Sequence, residues 1–244
     1  MSVGSSPSRF AQRAIELLDR IDYRLAETEA DREEIYRLRY RAYLQEGAVS
    51  PNSELKVYDR YDDLPNSWTF GLFLDGVLAS SLRISVASPE HPDTPSMPVF
   101  PDLLEPQLRQ GRVMIDPTRF VADPSREKRC PELPYMTVRL AYAACAHFKA
   151  DLGLATVRTE HQAFYRRVFF HEAISGPRVY PGLLKPICLM AVDFPVMKDK
   201  VFARYPFMRS TLFERRMLFE RLADRAAPAA DLPQQESAPI AAAS

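Results

Sequence analysis

The order of apolar and polar positions along the chain predicts helices and strands in alternation. Apolar residues that recur every three or four positions are typical of amphipathic helices. They predict helices over residues 8–20, 28–44, 100–109, 134–150 and 161–170, with two further short helices up to about residue 222. Apolar residues at alternate positions are typical of strands, and they predict strands over residues 22–27, 68–74, 78–86, 112–122, 154–160, 173–180 and 184–193. We therefore expect a single α/β or α+β domain on a mixed sheet of about seven strands.

Two local signals define element boundaries. Thr28, with Asp31 three residues later, has the spacing of a capping box, and the helix that it starts should end near Gly47. Asp75-Gly76 lies between two alternating stretches and is a strong hairpin signal. The predicted organisation is an N-terminal helical extension over 1–21, the domain over 22–222, and a disordered tail rich in Ala, Pro and Gln over 223–244.

Composition excludes several classes of protein. Lys plus Arg and Asp plus Glu are both 32, so the formal net charge is zero, unlike that of a strongly basic nucleic-acid-coating domain. No apolar run approaches the ~20 residues that span a bilayer, and the Ser-rich N-terminus lacks the apolar core of a secretory signal. The three cysteines are odd in number and widely spaced, which fits neither a disulfide framework nor a zinc site, so the reducing cytoplasm is the expected location.

Glycine is scarce, with eight residues in 244, and no two are close enough for a phosphate-cradling loop. Rossmann and Walker fingerprints are therefore absent, and nucleotide-dependent chemistry is not expected. The spacing of the histidines matches neither a metal ligand set nor a catalytic triad; they are His91, His147, His161 and His171. Cys145 lies on the Ala-rich helix and is expected to be a small core residue rather than a nucleophile.

Four charged residues in the first half are candidates for a site. Arg39 shares a helical stripe with apolar residues, so an inward-facing guanidinium there needs a carboxylate partner. Asp59 and Asp62 lie in an aromatic loop, where they would pair with inward arginines or bind a substrate amine; a solvated acidic loop is the alternative. Arg83 lies on the polar face of its strand and would hold a carboxylate bidentately if that face lines a cleft. A solvent-facing arginine fits the same pattern.

The strand over 112–122 contains Asp116-Pro117-Thr118-Arg119. In a regular strand Asp116 and Arg119 would point to opposite faces. Pro117 cannot donate to the ladder, so we expect a bulge that brings both side chains to one cavity and frees a backbone N–H for an oxyanion. An edge strand with a surface ion pair is the alternative. Tyr165 lies early in a helix after a strand, where it either packs in the core or protonates a leaving group.

These segments, in this order, resemble the acyl-homoserine-lactone synthases. Those enzymes show an Arg on the first helix, a D-x-Y-D loop, an S-x-R strand and an E-x-[ST]-R-F strand. The matching segments are Leu38-Arg39-Tyr40-Arg41-Ala42-Tyr43, Asp59-Arg60-Tyr61-Asp62, Ser81-Leu82-Arg83 and Asp116-Pro117-Thr118-Arg119-Phe120, with Asp116 in place of the Glu and a proline after it.

The second half resembles the FeeM-type N-acyl amino acid synthases. The segments that carry this resemblance are Glu160-His161-Gln162-Ala163-Phe164-Tyr165-Arg166-Arg167, Arg178-Val179-Tyr180-Pro181-Gly182, Leu189-Met190-Ala191-Val192-Asp193, Tyr205-Pro206-Phe207-Met208-Arg209-Ser210 and Phe213-Glu214. Together the two resemblances cover about residues 22–220. They imply a GNAT-related acyltransferase fold that moves a fatty acyl group from an acyl-carrier-protein thioester to the α-amine of an amino acid.

The resemblance also implies roles for the candidate residues. The predicted catalytic residues are Asp116, which would accept the amine proton directly or through water, Arg119 and Tyr165. Arg83 or Arg119 would hold the acceptor carboxylate. Arg39, Asp59 and Asp62 would form a supporting ion network, and Thr118 is a further predicted substrate-binding residue. Trp68 and Phe70 would line an acyl tunnel; core packing is the alternative for these two aromatic residues.

The donor is expected to be an acyl carrier protein. GNAT acetyltransferases hold the coenzyme A pyrophosphate with an R/Q-x-x-G-x-G/A turn, whereas Arg126-Glu127-Lys128-Arg129-Cys130-Pro131 contains no glycine. A carrier supplies its own phosphopantetheine arm, so no other cofactor is expected. Arg126, Lys128 and Arg129 would meet the acidic surface of that carrier; a solvated basic loop is the alternative.

Two rival functions stay open at this point. One is a homoserine-lactone synthase that uses S-adenosylmethionine. The other is a GNAT-like domain that binds lipid or carrier protein without catalysis. The last helical segment, which mixes apolar residues with arginines, would also suit peripheral contact with a membrane surface.

Overall fold

The computed structural model describes residues 9–220, which form eight α-helices and seven β-strands. The helices are α1 (Arg9–Leu18), α2 (Glu29–Gln45), α3 (Pro101–Arg109), α4 (Pro124–Glu127), α5 (Leu133–His147), α6 (Gln162–Phe169), α7 (Phe194–Arg204) and α8 (Leu212–Phe219). The strands are β1 (Ile21–Leu25), β2 (Ser67–Leu74), β3 (Val77–Ala87), β4 (Met114–Ala122), β5 (Leu152–Val157), β6 (Glu172–Ala173) and β7 (Cys188–Asp193). The tail predicted over 223–244 lies outside the described residues.

The strands form one sheet in the order β1-β2-β3-β4-β5-β7-β6. Neighbouring strands are antiparallel except β4 and β5, which are parallel. Helices cover both faces of this mixed sheet, so the predicted fold class is confirmed. No helix among residues 9–220 has the length and apolar character to cross a membrane.

Both local boundary signals are confirmed. The Thr28 hydroxyl accepts the Asp31 N–H at 3.1 Å, and the Asp31 carboxylate accepts the Thr28 N–H at 3.1 Å, so the capping box is complete. Asp75 and Gly76 have φ values of 52° and 76°. Positive φ at both central residues is what a type I′ turn requires, and it matches the twist of the flanking strands β2 and β3.

One predicted strand is largely wrong. In place of a strand over 173–180, the structure has the two-residue β6 and an isolated bridge between Arg178 and Ile187. The β7 strand accordingly starts at Cys188, later than predicted. Pro177 and Pro181 lack the backbone N–H that a ladder needs, and they interrupt the alternating apolar pattern that suggested the strand.

The two faces of the sheet are covered differently. On one face α5 packs against β3 and β4, with α8 beside it, and the main hydrophobic core lies there. On the other face α2 packs against β3 and β4. A row of polar side chains crosses this second face, because Thr69, Arg83 and Thr118 are cross-strand partners on β2, β3 and β4. All three are buried, so this row needs polar partners from α2 and its neighbours.

The centre of the sheet is split. β4 and β5 pair only through Met114 with Leu152 and Ile115 with Gly153, and they diverge beyond those pairs. The rest of β4 therefore has a free edge, which explains how Pro117 is tolerated inside the strand although it lacks an N–H. The split leaves a gap that opens between the carboxyl ends of the two parallel strands.

A β-bulge distorts β4 beside this gap. Ser81 pairs with Val121 and Arg83 with Thr118, so Arg119 and Phe120 together lie opposite Leu82. Arg119 has a φ of 56°, a left-handed conformation that is uncommon for a side chain of its size. The sequence predicted a bulge at Pro117, whereas Pro117 pairs in register with Ile84. The bulge therefore lies two residues further along the strand than expected.

Candidate functional site

Five charged side chains form a cluster between α2 and the sheet. Arg39 comes from α2, Arg83 from β3 and Arg119 from β4, while Asp59 and Asp62 come from the loop that follows α2. We call these five residues the buried ion cluster. The loop itself positions the two carboxylates, because Asp59 accepts the Tyr61 N–H at 3.0 Å and Asp62 accepts the Asp59 N–H at 3.1 Å.

Arg39 and Asp62 form the innermost pair. One guanidinium nitrogen of Arg39 donates to both Asp62 oxygens at 2.9 Å, and the two side chains are 0% and 1% exposed. The Thr69 hydroxyl also donates to Asp62, at 2.9 Å. Burial alone would raise the pKa of Asp62, but the charges of Arg39 and Arg83 outweigh it and hold that pKa below its usual value. Asp62 is therefore a buried anion whose partners are all protein groups.

Asp59 joins Arg83 to Arg119. Its carboxylate accepts from Arg83 at 2.5 Å and from Arg119 at 2.6 Å. Burial opposes the charge of Asp59, yet the hydrogen bonds and charges of these two guanidinium groups hold its pKa well below the usual range. Arg83 also donates to the Thr118 hydroxyl at 3.1 Å and lies 3.1 Å from the Asp62 carboxylate.

These contacts distinguish the arginines of the cluster. All three guanidinium nitrogens of Arg83 have protein partners, and its side chain is 0% exposed. Arg39 is equally buried. Arg119 differs, because it borders a cavity. The cluster contains three guanidinium groups and two carboxylates, so it has one excess positive charge. Arg119 is the only one of the five residues that lines the cavity, so the excess charge faces the cavity through Arg119.

The cavity occupies the gap between β4 and β5 and has a volume of about 750 Å³. On the α2 side, which we call the charged end, it is lined by Tyr43, Glu46, Thr118, Arg119, Arg158 and Tyr180. On the α5 side, which we call the apolar arm, it is lined by Val138, Ala141, Cys145, Phe164, Val192 and Phe194. The cavity thus joins a region suited to an ionic group to one suited to an alkyl chain.

Two tyrosines of the charged end were not singled out as site residues from the sequence. The Arg119 guanidinium lies 5.8 Å from the centre of the Tyr43 ring. Tyr180 is buried within electrostatic range of Arg119, Asp116 and Asp59, and burial raises its pKa. Signals for both were present, since Tyr43 lies one helical turn beyond Arg39 and Tyr180 is inside a segment that resembles the FeeM-type enzymes.

Tyr165 lines the cavity at the start of the apolar arm. Its ring contacts Phe164, Phe169 and His171 at centroid distances of 5.3, 6.3 and 5.7 Å. Burial raises the pKa of its phenol, so the hydroxyl keeps its proton at neutral pH. A protonated, buried phenol at the cavity wall is able to donate to a leaving thiolate; the sequence-based role of Tyr165 stays a prediction.

Asp116 is not among the residues that line the cavity. It is 0% exposed, and its carboxylate accepts the Ser96 N–H at 2.9 Å and the Ser96 hydroxyl at 2.7 Å. Burial raises the pKa of this carboxyl against the opposite effect of those hydrogen bonds. From this position Asp116 can act on the cavity only through an intervening group such as water or Tyr180. Its role as the base stays a prediction.

Trp68 and Phe70 lie away from the cavity. Trp68 packs against Phe148 at 5.0 Å and donates its ring N–H to the Phe219 carbonyl at 3.2 Å. Phe70 is fully buried and contacts Phe219 at 5.6 Å. Neither is among the described residues that line the gap, and both pack in the main hydrophobic core. Their role in an acyl tunnel stays a prediction.

The three basic residues of the predicted carrier surface lie at and after α4, near the cavity mouth. Lys128 lines the main cavity, whereas Arg126 and Arg129 line a second, polar cavity of about 600 Å³ beside α1. None of the three forms an ion pair with a carboxylate of the described residues. Lys128 is therefore a positive charge at the main cavity, whereas Arg126 and Arg129 share the second cavity with Glu16, Asp75 and Glu132.

The start of α5 offers little to an anion. The N–H groups of Leu133, Tyr135 and Met136 donate to backbone carbonyls at 3.0 to 3.1 Å, and Pro134 has no N–H. A helix N-terminus binds phosphate through unpaired N–H groups. Here those donors are used or missing, which agrees with the absence of a glycine turn in the sequence.

Comparisons with known proteins agree with this geometry. A family model described as N-acyl amino acid synthase FeeM matches residues 34–193. No curated protein matches the chain. The match covers well over half of the chain, so the chain belongs to the FeeM N-acyl amino acid synthase family and is an N-acyltransferase.

Solved structures share the fold at low sequence identity. FeeM, an N-acyl amino acid synthase from uncultured soil microbes, aligns with a TM-score of 0.63 at 17% identity, over 76% of this chain and 97% of that one. TofI in a complex with an inhibitor and MTA aligns with a TM-score of 0.54 at 16% identity, over 78% and 100%. BjaI, a CoA-dependent acyl-homoserine lactone synthase, aligns with a TM-score of 0.53 at 14% identity, over 76% and 89%. The expected GNAT-related acyltransferase fold is thus confirmed.

Proposed function

We propose that this member of the FeeM family transfers a fatty acyl group from an acyl-carrier-protein thioester to the α-amine of an amino acid. The observation that carries the proposal is the cavity between β4 and β5, which joins the charged end to the apolar arm. An amino acid is ionic and an acyl chain is apolar, so the two substrates would meet where the two regions join. The family description, N-acyl amino acid synthase, supports the same product class.

Arg119 is the residue we assign to the acceptor carboxylate. Arg83, the other candidate, is fully buried and bonded on all three guanidinium nitrogens, so a substrate would have to displace Asp59 or Asp62 to reach it. Arg119 lines the cavity and carries the excess positive charge of the cluster. Thr118 and Tyr180 lie beside it with hydroxyl groups that suit a polar acceptor.

The reaction forms an amide C–N bond and breaks the thioester C–S bond. The attacking amine must be neutral. A peptide α-amino group has a pKa of about 7.7–8.0, and the carboxylate of a free amino acid raises the pKa of its amine further, so a base has to take up the proton. We assign the amine proton to Asp116 by way of water or Tyr180. The departing thiolate takes a proton from Tyr165, and the proton held at Asp116 passes through water to the Tyr165 phenolate, so both side chains regain their starting states.

The β4 bulge supplies the expected oxyanion site. A bulge places two residues opposite one, and here those two residues, Arg119 and Phe120, both line the cavity. Their backbone N–H groups are the donors we assign to the tetrahedral intermediate. Removing one such donor in other enzymes costs about 3–4 kcal/mol of transition-state stabilisation.

A carrier protein suits the donor side better than coenzyme A. The occupied N–H groups at the start of α5 leave no cradle for a pyrophosphate. The basic side chains of Arg126, Lys128 and Arg129 would instead attract an acidic carrier and steer its phosphopantetheine arm toward the gap. Because BjaI is described as CoA-dependent, acyl-CoA is the donor against which this part of the proposal must be tested.

The test combines lipid extracts with purified components. The chain is expressed in a heterologous host, and extracts are compared by mass spectrometry with those of an empty vector and of Arg119→Ala. Purified protein is then supplied with matched acyl-carrier-protein and acyl-CoA donors and a mixture of amino acids. We expect a new N-acyl amino acid that Arg119→Ala does not form, and faster transfer from the carrier.

Arg109→Ala serves as the matched control. Arg109 forms an exposed pair with Glu105 one helical turn away, at 3.3 Å, so its loss should leave both stability and product unchanged. A homoserine lactone in the extracts would move the chain to the rival activity. Acylation of neither amino acids nor other amines by any donor would overturn the proposal.

A further inference from the structure

Helix α8 presents apolar side chains to the solvent. Leu212, Phe213 and Met217 are 65%, 73% and 52% exposed. All 14 phenylalanines of the chain lie within residues 9–220, and Phe213 is the only one of them that is exposed. Apolar residues that stand singly on a surface are normal, whereas several exposed together are typical of an interaction site. The exposed side of α8 therefore calls for a partner.

The same helix is fixed to the rest of the fold by its other side. Leu218 and Phe219 are 9% and 2% exposed, and the Phe219 ring packs against Phe148 with the centroids 5.5 Å apart. Glu214 forms an ion pair with Arg139 of α5. The three exposed apolar residues recur at positions i, i+1 and i+5, which lie within about 140° of one another around a helix of 3.6 residues per turn. They therefore form one apolar stripe on a helix that the core holds in place.

Basic side chains outnumber carboxylates in this part of the chain. From the start of α7 to Glu220 there are six cationic residues and three carboxylates. They are Lys198, Lys200, Arg204, Arg209, Arg215 and Arg216 against Asp199, Glu214 and Glu220. Two of the three carboxylates are already paired, with Arg139 and Arg216. Since the whole chain has no net charge, the segment from α7 to α8 is a local concentration of positive charge.

Two of these arginines lie at the start of α8. The Arg209 guanidinium lies 5.0 Å from the centre of the Phe202 ring, and Arg215 donates to the Ser210 carbonyl at 2.6 Å. Neither arginine forms an ion pair with a carboxylate of residues 9–220. Their positive charges therefore lie without a counter-ion beside the exposed residues of the first turn.

We propose that α8 adsorbs to an anionic lipid bilayer, with its exposed apolar side chains inserted among the acyl chains and Arg209 and Arg215 facing the lipid phosphates. Interfacial helices bind in this way, through buried apolar area together with attraction to anionic lipids. An acidic protein surface complements the arginines but not the apolar side chains next to them, whereas an anionic bilayer complements both. The inference goes beyond the proposed function, and the binding that it describes does not depend on which acyl group or acceptor is used.

The test measures sedimentation of the full chain with lipid vesicles in the absence of substrates. Vesicles of phosphatidylcholine with phosphatidylglycerol are compared with vesicles of phosphatidylcholine alone, at rising salt. We expect about tenfold tighter binding to the anionic vesicles at low salt, and salt should reduce this difference. Phe213→Trp tests insertion, because brominated acyl chains should quench the new indole. Trp68 is 8% exposed in the core and should be quenched little.

Matched pairs of variants locate the binding surface. Leu212→Ser with Phe213→Ser should weaken vesicle binding about tenfold or more, because both positions lose the apolar area that would enter the bilayer. Val179→Ser with Leu184→Ser removes two apolar side chains that are 82% and 64% exposed between β6 and β7, and it should leave binding unchanged. Arg209→Gln should weaken binding to the anionic vesicles about fivefold. Urea unfolding checks that each variant keeps the stability of the wild type.

Each outcome decides the inference. Absence of wild-type binding to anionic vesicles overturns it, and so does binding that persists in the α8 double variant or that the control pair lowers equally. If the α8 variant instead converts a dimer into a monomer, or slows transfer from a carrier protein without vesicles, a protein covers α8 and the inference is wrong. Vesicle binding that follows the expected order supports it even where no acyl transfer is detected, so failure of the proposed reaction is seen separately.

Discussion

The buried ion cluster and the apolar arm lie on opposite faces of one sheet and differ in how their polar atoms are paired. In the cluster, each of the four carboxylate oxygens of Asp59 and Asp62 accepts at least two hydrogen bonds or ion-pair contacts from protein groups. In the apolar arm, His171 Nδ1 has no partner among the described residues. The carboxylates of the cluster are thus fully paired by protein groups, although Arg39 Nε in the same cluster also has no partner among the described residues.

This difference identifies the residues that face substrates. A charge that is fully paired within the protein stabilises the fold. Its use in ligand binding would cost free energy, because breaking a buried pair leaves the partner uncompensated. A polar group at the border of such a region can still form a hydrogen bond or an ion pair with a ligand. Arg119 stands at that border for the ion cluster, because it both pairs with Asp59 and lines the cavity. The predictions below test this distinction, starting from the largest expected effect.

Arg83→Met should destabilise the fold rather than only the activity. It leaves Asp59 and Asp62 short of a buried partner, and removing one member of a buried pair typically costs about 3–5 kcal/mol. Urea unfolding measures the loss. Arg109→Met, at an exposed pair, should cost less than about 0.5 kcal/mol. If Arg83→Met kept its stability and lost only acyl transfer, Arg83 would belong with the substrate-binding residues after all.

Arg119→Gln should mainly weaken recognition of the amino-acid acceptor. Loss of a charged hydrogen-bonding partner for the carboxylate should lower kcat/KM for an amino acid about 100-fold, the equivalent of about 2.7 kcal/mol. The amine that results from decarboxylation of the same amino acid should be affected far less. Steady-state kinetics on both acceptors gives the ratio. Equal losses of kcat/KM for the two acceptors would show that Arg119 does not bind the carboxylate.

Reversing the charges of Arg126, Lys128 and Arg129 to Glu should slow transfer from a carrier protein about tenfold at low salt, because electrostatic steering accelerates association. The difference from wild type should shrink as ionic strength rises, since salt screens these charges. Transfer from acyl-CoA should change less. An equal effect on both donors, or an effect that does not depend on salt, would show that these three residues do not bind the carrier.

His171→Leu should flatten the pH dependence of stability. The folded-state pKa of His171 is lowered to about 3, from an ordinary value of 6.5. A buried neutral histidine stabilises the fold above pH 6.5, and this contribution is lost as the pH falls toward 3, with a slope of up to about 1.4 kcal/mol per pH unit. Denaturant unfolding of the wild type and the variant at pH 4.5–7.5 should show this slope as the difference between the two curves.

Comparing the wild type with His171→Leu separates the effect of His171 on stability from the effects of the carboxylates. The lowered pKa values of Asp59 and Asp62 remove stability only in acid below their ordinary range, and the raised pKa of Asp116 acts with the opposite sign. These contributions are the same in both proteins and cancel in the difference. Parallel curves would show that the imidazole is protonated or solvated in the folded state.

Much of the fold followed from local patterns. The capping box at Thr28 and the Asp75-Gly76 hairpin depend on residues a few positions apart, and both are formed as predicted. The strand predicted over 173–180 failed because its alternating apolar residues carry prolines and end in loop structure. Two apolar side chains of this segment, Ile174 and Val179, are 41% and 82% exposed, so the alternating pattern did not report burial here.

The candidate site was predicted in part. The sequence indicated that Arg39 faces inward and needs a carboxylate, and the structure pairs it with Asp62 at 2.9 Å. It did not indicate that Asp116 would lie behind the cavity wall, nor that Trp68 would pack away from it. Both positions depend on which neighbouring elements cover a given face of the sheet, and that coverage is not visible along a single strand.

The sequence by itself determined the order of elements, the absence of a nucleotide-binding loop, the family to which the motifs belong, and the set of charged residues that need partners. The tertiary structure decided which of these residues reach the cavity. The split between β4 and β5, the bulge at Arg119 and the unpaired Nδ1 of His171 each arise where segments distant in the chain meet. Local propensity reaches only a few residues along the chain, whereas pairing and burial in a split sheet are set by contacts across it.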